Sequence, residues 1–148
     1  MSVVLKIGIS EKNNKEIENK ESIEVIASKG IIGDRYFHDF NGDREQITLI
    51  ESENIDNYNK TFNTNFDYLE FRRNIITKNI RLNDLVGKII IVGKIKLKVN
   101  DLCRPCKDLQ NRLGKDNIIK EFLRKGGLRC EILSSGTINI GDKISVKP

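Results

Sequence analysis

The chain has 148 residues, of which 38% are hydrophobic and 32% charged, with a net charge of +5. That is enough chain to bury a core, and one domain spanning 1–148 is expected. No apolar run approaches the roughly 18 residues that a membrane helix needs.

The opening MSVVLKIGIS lacks the basic, apolar and small-residue regions of a signal peptide in their usual order. Three cysteines, an odd number, argue against a secreted disulfide framework. A cytoplasmic protein is expected. Its charge is uneven. Residues 1–74 carry 10 basic and 14 acidic side chains, and residues 75–148 carry 16 and 7. A basic half suggests an anionic partner such as a phosphate or an anionic cofactor. Only 6% of residues are aromatic and none interleave with the basic ones, so nucleic acid is not the expected partner.

VVLKIGI reads as a first strand, and EKNNKEIENKES as a polar loop. IEVIAS is a second strand, followed by the glycine-rich turn KGIIGD. There Gly33 and Asp34 suit a tight turn in which Asp34 bonds its own backbone. Gln46–Ile50 is a short strand. ESENIDNYNKTF reads as helix, because Ile55, Tyr58 and Phe62 recur at i, i+3, i+7. KIIIV and IKLKV form a hairpin about Gly93-Lys94, a glycine-first loop that suits a type II′ turn. Ile95, Leu97 and Val99 alternate with Lys96 and Lys98, which gives one buried and one wet face. Cys106 to Leu113 is a short helix ending at Gly114. Asn117 to Lys125 is a longer one, capped by Asp116 and ended by Gly126. LRCEIL returns to strand, and TINI-GD-KISV reads as a closing hairpin. Many short strands with glycine turns and few helices predict a mostly β (α+β) fold, a closed antiparallel or mixed β-barrel.

The chemistry is concentrated in NDLCRPCKDL, residues 100–109, which holds two of the three cysteines. Three readings are open. A CxxC dithiol at a helix start fits redox exchange, but the βαβ framework that usually carries it is absent. Cys103, Cys106, Cys130 and His38 would make a Cys₃His zinc set, but Cys130 alternates with Leu128 and Ile132 as a core residue would. A single working sulfur is the third reading and the favoured one. Pro105 fixes φ and would present Cys106 rigidly at the helix start, near free amides, Arg104 and Lys107. Such a sulfur suits sulfur transfer or ligation of a soft metal.

Several segments in order resemble one family, the MOSC domain, the fold found at the C-terminus of molybdenum-cofactor sulfurases. GIIGDRYF resembles its early Gly-Asp turn, with Tyr36 where many small members have His. DREQITLIESE resembles its Arg-x-x-Thr/Ser-Leu strand, and FRRNIIT its Arg-Asn-Ile segment. LVGKIIIVGKIKLKV resembles its hairpin, LCRPCKDL its Pro-Cys loop, and KGGLRCEILSSGTINIGDKISV its closing segment. The resemblance implies a barrel-like fold and a cleft for the molybdenum cofactor, a molybdopterin with an anionic tail. It places the family's cysteine chemistry, a persulfide sulfur or a molybdenum ligand, on Cys106.

Beside that, Arg72 and Arg73 have the fork geometry that clamps phosphate. Asn74 offers a donor and an acceptor for a pterin edge. Arg44, Arg104 and Arg129 are further candidates, and Gly127 suits either a close approach of ligand to backbone or the left-handed end of the preceding helix. Two functions follow from the resemblance: sulfur carriage through Cys106, or molybdenum-dependent reduction of N-hydroxylated compounds with separate electron donors. No pyridoxal phosphate is expected in this chain. A cysteine desulfurase or an electron-donor protein is the expected partner.

Overall fold

A computed structural model describes residues 1–12, 15–37 and 46–148. Strand exceeds helix among them. The first strand, β1 (Val3–Ile9), pairs antiparallel with a short edge strand, β2 (Glu18–Lys20). The polar segment expected as loop therefore supplies an edge strand at its end. Its side chains are mostly exposed, as suits the rim of a sheet.

β3 (Ser22–Ile26) and β4 (Gly30–Ile31) follow, then β5 (Ile47–Glu51), helix α1 (Ser52–Phe62) and β6 (Ile75–Lys78). β5 and β6 run parallel, joined by α1, the crossover that parallel strands require. The sequence reading held no such unit. The hairpin of β7 (Ile89–Val92) and β8 (Ile95–Leu102) stands where the pattern placed it. Gly93 takes φ 63° while Lys94 stays out of the positive-φ region, as a type II′ turn demands.

Helices α2 (Lys107–Leu113) and α3 (Ile118–Glu121) come next, then β9 (Leu128–Ile132), β10 (Gly136–Asn139) and β11 (Ile144–Val146). The helix expected to Lys125 stops after one turn. Ile118 and Phe122 are buried, whereas Ile119 and Leu123 face solvent, and Arg124 at φ 63° ends the regular backbone. Asn117, not Asp116, stands at its cap.

The strands form one sheet in the order β11-β7-β8-β9-β5-β6-β1-β2 and a smaller one in the order β10-β3-β4. The large sheet curls until its two ends meet. Val3 bridges Lys143, Val4 N–H donates to Asp142 O at 2.9 Å, and Ile144 N–H donates to Ser2 O at 2.9 Å. The expected C-terminal hairpin is not one. Gly141-Asp142 does turn the chain, but β10 pairs with β3 and β11 with β7. The turn passes the chain from one sheet to the other and leaves its own backbone on β1.

Two cores result. The barrel interior holds Ile7, Leu49, Ile75, Leu97 and Cys130 among others. A second core lies between the barrel wall and the helices and contains Ile50, Ile55, Phe71, Ile76, Leu109, Leu113 and Phe122. β5 and β6 face both cores, which is why ITLI and the Ile75-Ile76 pair read as continuous apolar runs. In the second core the Phe71 and Phe122 rings lie 4.8 Å apart between centroids. That aromatic layer seats α2 and α3 on the barrel.

Candidate functional site

The Cys-Arg-Pro-Cys loop continues the β8–β9 ladder. Cys103 N–H donates to Gly127 O at 2.7 Å. The backbone stays extended as far as Cys106, at φ −118° and ψ 166°. Side chains therefore alternate, as on a strand: Cys103 and Pro105 are buried, Arg104 and Cys106 are exposed. α2 then begins because Leu109 and Leu113 sink into the second core one turn apart. Cys106 is its cap. The Sγ accepts the Leu109 N–H at 3.5 Å, and the Cys106 carbonyl accepts Gln110 N–H at 3.1 Å. An exposed sulfur is thus held at a fixed position with one helix amide aimed at it.

The other two thiols are elsewhere. Cys103 is 5% exposed and Cys130 is fully buried in the barrel core. Burial pushes the Cys130 thiol up, with Cys103 and Asp101 adding to the shift. All three cysteines are free thiols. Cys103 and Cys106 lie on opposite faces of the extended loop. Among the described residues no three His, Cys, Asp or Glu side chains gather to hold a metal ion; His38 lies outside those residues. Limiting iodoacetamide should accordingly label Cys106 first, with Cys103 and Cys130 reacting only on unfolding. Mass mapping that finds either of them labelled as fast as Cys106 would contradict this arrangement.

The arginines divide. Arg73 Nε donates to Gly126 O at 2.9 Å, and Gly126 packs against the Cys103 carbonyl and the Pro105 ring. Arg73 therefore braces the floor of the cysteine loop. Arg72 has left-handed backbone at φ 63° and donates to Lys15 O at 2.7 Å. Burial lowers its pKa first, and the nearby charges of Arg35 and Arg112 lower it further. These three guanidiniums form a basic cluster beside α2, with Asp34 bonded to Arg35 and Asp108 bonded to Arg112. Arg35 and Arg112 were not singled out by the sequence reading. Arg35 did have a signal, since it follows Asp34 in the Gly-Asp turn.

Asn74 is turned into the barrel wall. It is fully buried; its Oδ1 accepts Thr48 N–H at 3.0 Å and its Nδ2 donates to Gly8 O at 3.1 Å. Its amide ties β5 to β1, so both of its polar ends are used within the barrel wall. Arg129 forms a fork onto Asp101, at 2.9 and 2.7 Å, across the β8–β9 pair. Gly127 serves backbone packing: at φ 97°, a side chain there would strike the Leu49 carbonyl. Arg104 is exposed next to Cys106. Arg44 lies outside the described residues. Asp34 does bond its own turn, since Oδ2 accepts Tyr36 N–H at 3.3 Å, and Oδ1 also accepts Ser10 N–H at 3.0 Å.

The site so defined belongs to a barrel protein that carries one exposed cysteine at the cap of a helix, with an arginine cluster by that helix's other end. Residues 37–145 match the family model described as "MOSC domain", and the chain belongs to that family. MOSC domains are associated with molybdenum-cofactor binding. No curated protein matches the sequence. Among solved structures, the YuaD protein of Bacillus subtilis superposes with a TM-score of 0.84 at 16% identity, covering 99% of this chain and 96% of that one. YiiM from Geobacillus stearothermophilus gives 0.81 at 15% identity, covering 100% and 76%. YiiM from Escherichia coli gives 0.76 at 15% identity, covering 100% and 70%. At these identities the likeness is one of fold.

Proposed function

We propose that this chain binds the molybdenum cofactor and that Cys106 is its working sulfur, as a persulfide carrier or as a molybdenum ligand. The observation that carries the reading is the segregation of the three thiols: one exposed at a cap, two buried. The donor chemistry fits the cofactor. Molybdenum is thiophilic, and Cys106 offers a soft donor. Arg72 and Arg112, which line one groove, offer guanidiniums for an anionic tail.

Cys106 and Arg112 stand at the two ends of α2, about 9 Å apart at 1.5 Å per residue. A groove of about 550 Å³ is lined by Lys6, Arg72 and Arg112, by the acids Glu16, Asp67 and Glu70, and by Ile17 and Leu69. Its size is that of small-molecule sites. Asn74 takes no part in this reading; the pterin edge needs other partners.

The cofactor, when bound, supplies a redox-active metal. The chain holds and orients it. For sulfur carriage, the Cys106 thiolate attacks the outer sulfur of a donor's cysteine persulfide. The donor's S–S bond breaks, a new one forms on Cys106 Sγ, and the donor leaves as thiolate. No other reactant is needed. Reduction of N-hydroxylated compounds is the second reading; it draws on the same sulfur as ligand and needs electrons from a separate protein. No helix among the described residues is long and apolar enough to cross a membrane.

Protein purified from a molybdenum-replete host should contain molybdenum and pterin in near-equal amounts, with visible absorption from sulfur-to-metal charge transfer. Molybdenum-free, pterin-free protein from that host would sink the cofactor reading.

A further inference from the structure

We infer that the outer face of strands β11, β7, β8 and β9 is a lysine-rich wall on which the protein rests against an anionic lipid bilayer. The inference goes beyond the cofactor reading and does not depend on it. The helices cover the barrel along β5 and β6, where the second core lies. On the other wall the side chains alternate between core and water. Ile90, Leu97, Ile132 and Ile144 fill the barrel, so the residues between them point outward. Strand register sets these outward residues in two rows. In the first, Leu133 N–H donates to Lys96 O at 2.9 Å, Lys96 faces Ile91, and Ile91 faces Ser145. In the second, Glu131 faces Lys98, Lys98 faces Ile89, and Lys147 N–H donates to Ile89 O at 2.9 Å. Lys143 stands two residues before Ser145, on the same side of its strand.

Lys96, Lys98, Lys143 and Lys147 are all exposed. None of the four forms an ion pair among the described residues. Glu131 is the one acid in the two rows, which leaves the wall at +3. Aliphatic side chains stand among the lysines. Ile89 and Ile91 are half-buried and Leu133 is 39% exposed. This mixture selects the partner. Each lysine near an anionic bilayer adds to binding, and aliphatic side chains gain by entering the interface between headgroups. A sugar-phosphate backbone has no place for Leu133 and the isoleucines. The rows also offer no ring for base stacking and no arginine fork for a base edge. Protein interfaces favour arginine and aromatic residues and are poor in lysine. Four strands span about 14 Å at their usual spacing, and a bilayer is broad enough to meet both rows at once.

The test is co-sedimentation of the full chain with vesicles. The protein should bind phosphatidylcholine vesicles that hold about one-third phosphatidylglycerol, and release from them as salt is added. It should not bind vesicles of phosphatidylcholine alone. Lys96→Gln/Lys98→Gln should weaken binding about thirtyfold, the loss expected for two lysines at such a surface. Leu133→Ser should weaken it several-fold. Lys120→Gln/Lys125→Gln removes the same charge from exposed positions by α3 and should bind like the unaltered protein. Circular dichroism checks that each variant is folded, and all of these side chains are exposed. No binding of the unaltered protein to the anionic vesicles would overturn the inference. So would an equal loss in the two lysine pairs, which would make net charge and not this wall the cause. Binding indifferent to Leu133→Ser would overturn the choice of a bilayer. A duplex DNA oligonucleotide that binds through Lys96 and Lys98 while the vesicles do not would assign the wall to nucleic acid.

Discussion

Cys106→Ser should abolish both persulfide loading and molybdenum retention, whereas Cys103→Ala should leave both largely intact. The substitution is informative because serine is itself a good helix cap. The Sγ of Cys106 accepts the Leu109 amide, and a serine hydroxyl at that position accepts it too. α2 is then preserved, and what is lost is the sulfur alone. A hydroxyl is neither a soft ligand nor a nucleophile toward sulfur at neutral pH. Thermal unfolding of Cys106→Ser should match that of the unaltered protein. Cys103 is buried with its backbone in the β8–β9 ladder, and alanine keeps that ladder. Loading is read by intact mass as the gain of one sulfur atom, and metal by elemental analysis. Equal damage from both substitutions, or a Cys103–Cys106 disulfide that cycles with activity, would restore the dithiol reading.

Gly127→Ala should be among the most destabilising single changes in the chain. At φ 97°, a β-carbon there would lie 1.8 Å from the Leu49 carbonyl oxygen and 3.1 Å from Ile50 Cα. Both obstacles are backbone of β5, which is paired on both sides and cannot yield. Gly127 also accepts the Cys103 amide, so any shift is passed to the cysteine loop. The loss should be about 4 kcal/mol or more, the range reached only by severe steric faults. For a chain of this size the midpoint should fall by roughly 10 °C or more. Gly114→Ala is the control. It has φ 67° with nothing within 4 Å of the new carbon, so it carries only the left-handed strain of roughly 1–2 kcal/mol. Urea or thermal unfolding decides. Equal losses at the two positions would mean that β5 yields, and that Gly127 is not a packing constraint.

Much of the fold was legible because its signals are local. The β7–β8 hairpin is written in alternation and in one glycine. α1 is written in the spacing of Ile55 and Tyr58, and the start of α2 in Pro105. The exposure of Cys106 and the burial of Cys130 also follow from local pattern, since Cys130 keeps step with Leu128 and Ile132. The Asn117–Lys125 helix failed because four apolar residues made a stripe on paper. Only Ile118 and Phe122 find a core, and without burial a short helix gains too little to extend.

By itself, then, the sequence determined the strand-rich class, the hairpin, the family and the cysteine at the cap. These rest on periods of two and of about four, and on residues whose backbone preferences are their own. The tertiary structure alone decided which strands became neighbours and which polar groups were spent. TINI and KISV look like a hairpin, yet each pairs with a strand about fifty residues or more away, because closure of the barrel draws the turn between them onto β1. Asn74 looks like a ligand, yet its amide ties β5 to β1. Arg129 looks free to bind phosphate, yet it faces Asp101 across the ladder. Arg35, Arg72 and Arg112 come from three distant segments and meet only when α2 is seated on the aromatic core. Side-chain partners of this kind depend on strand register and long-range packing, which local periodicity does not encode.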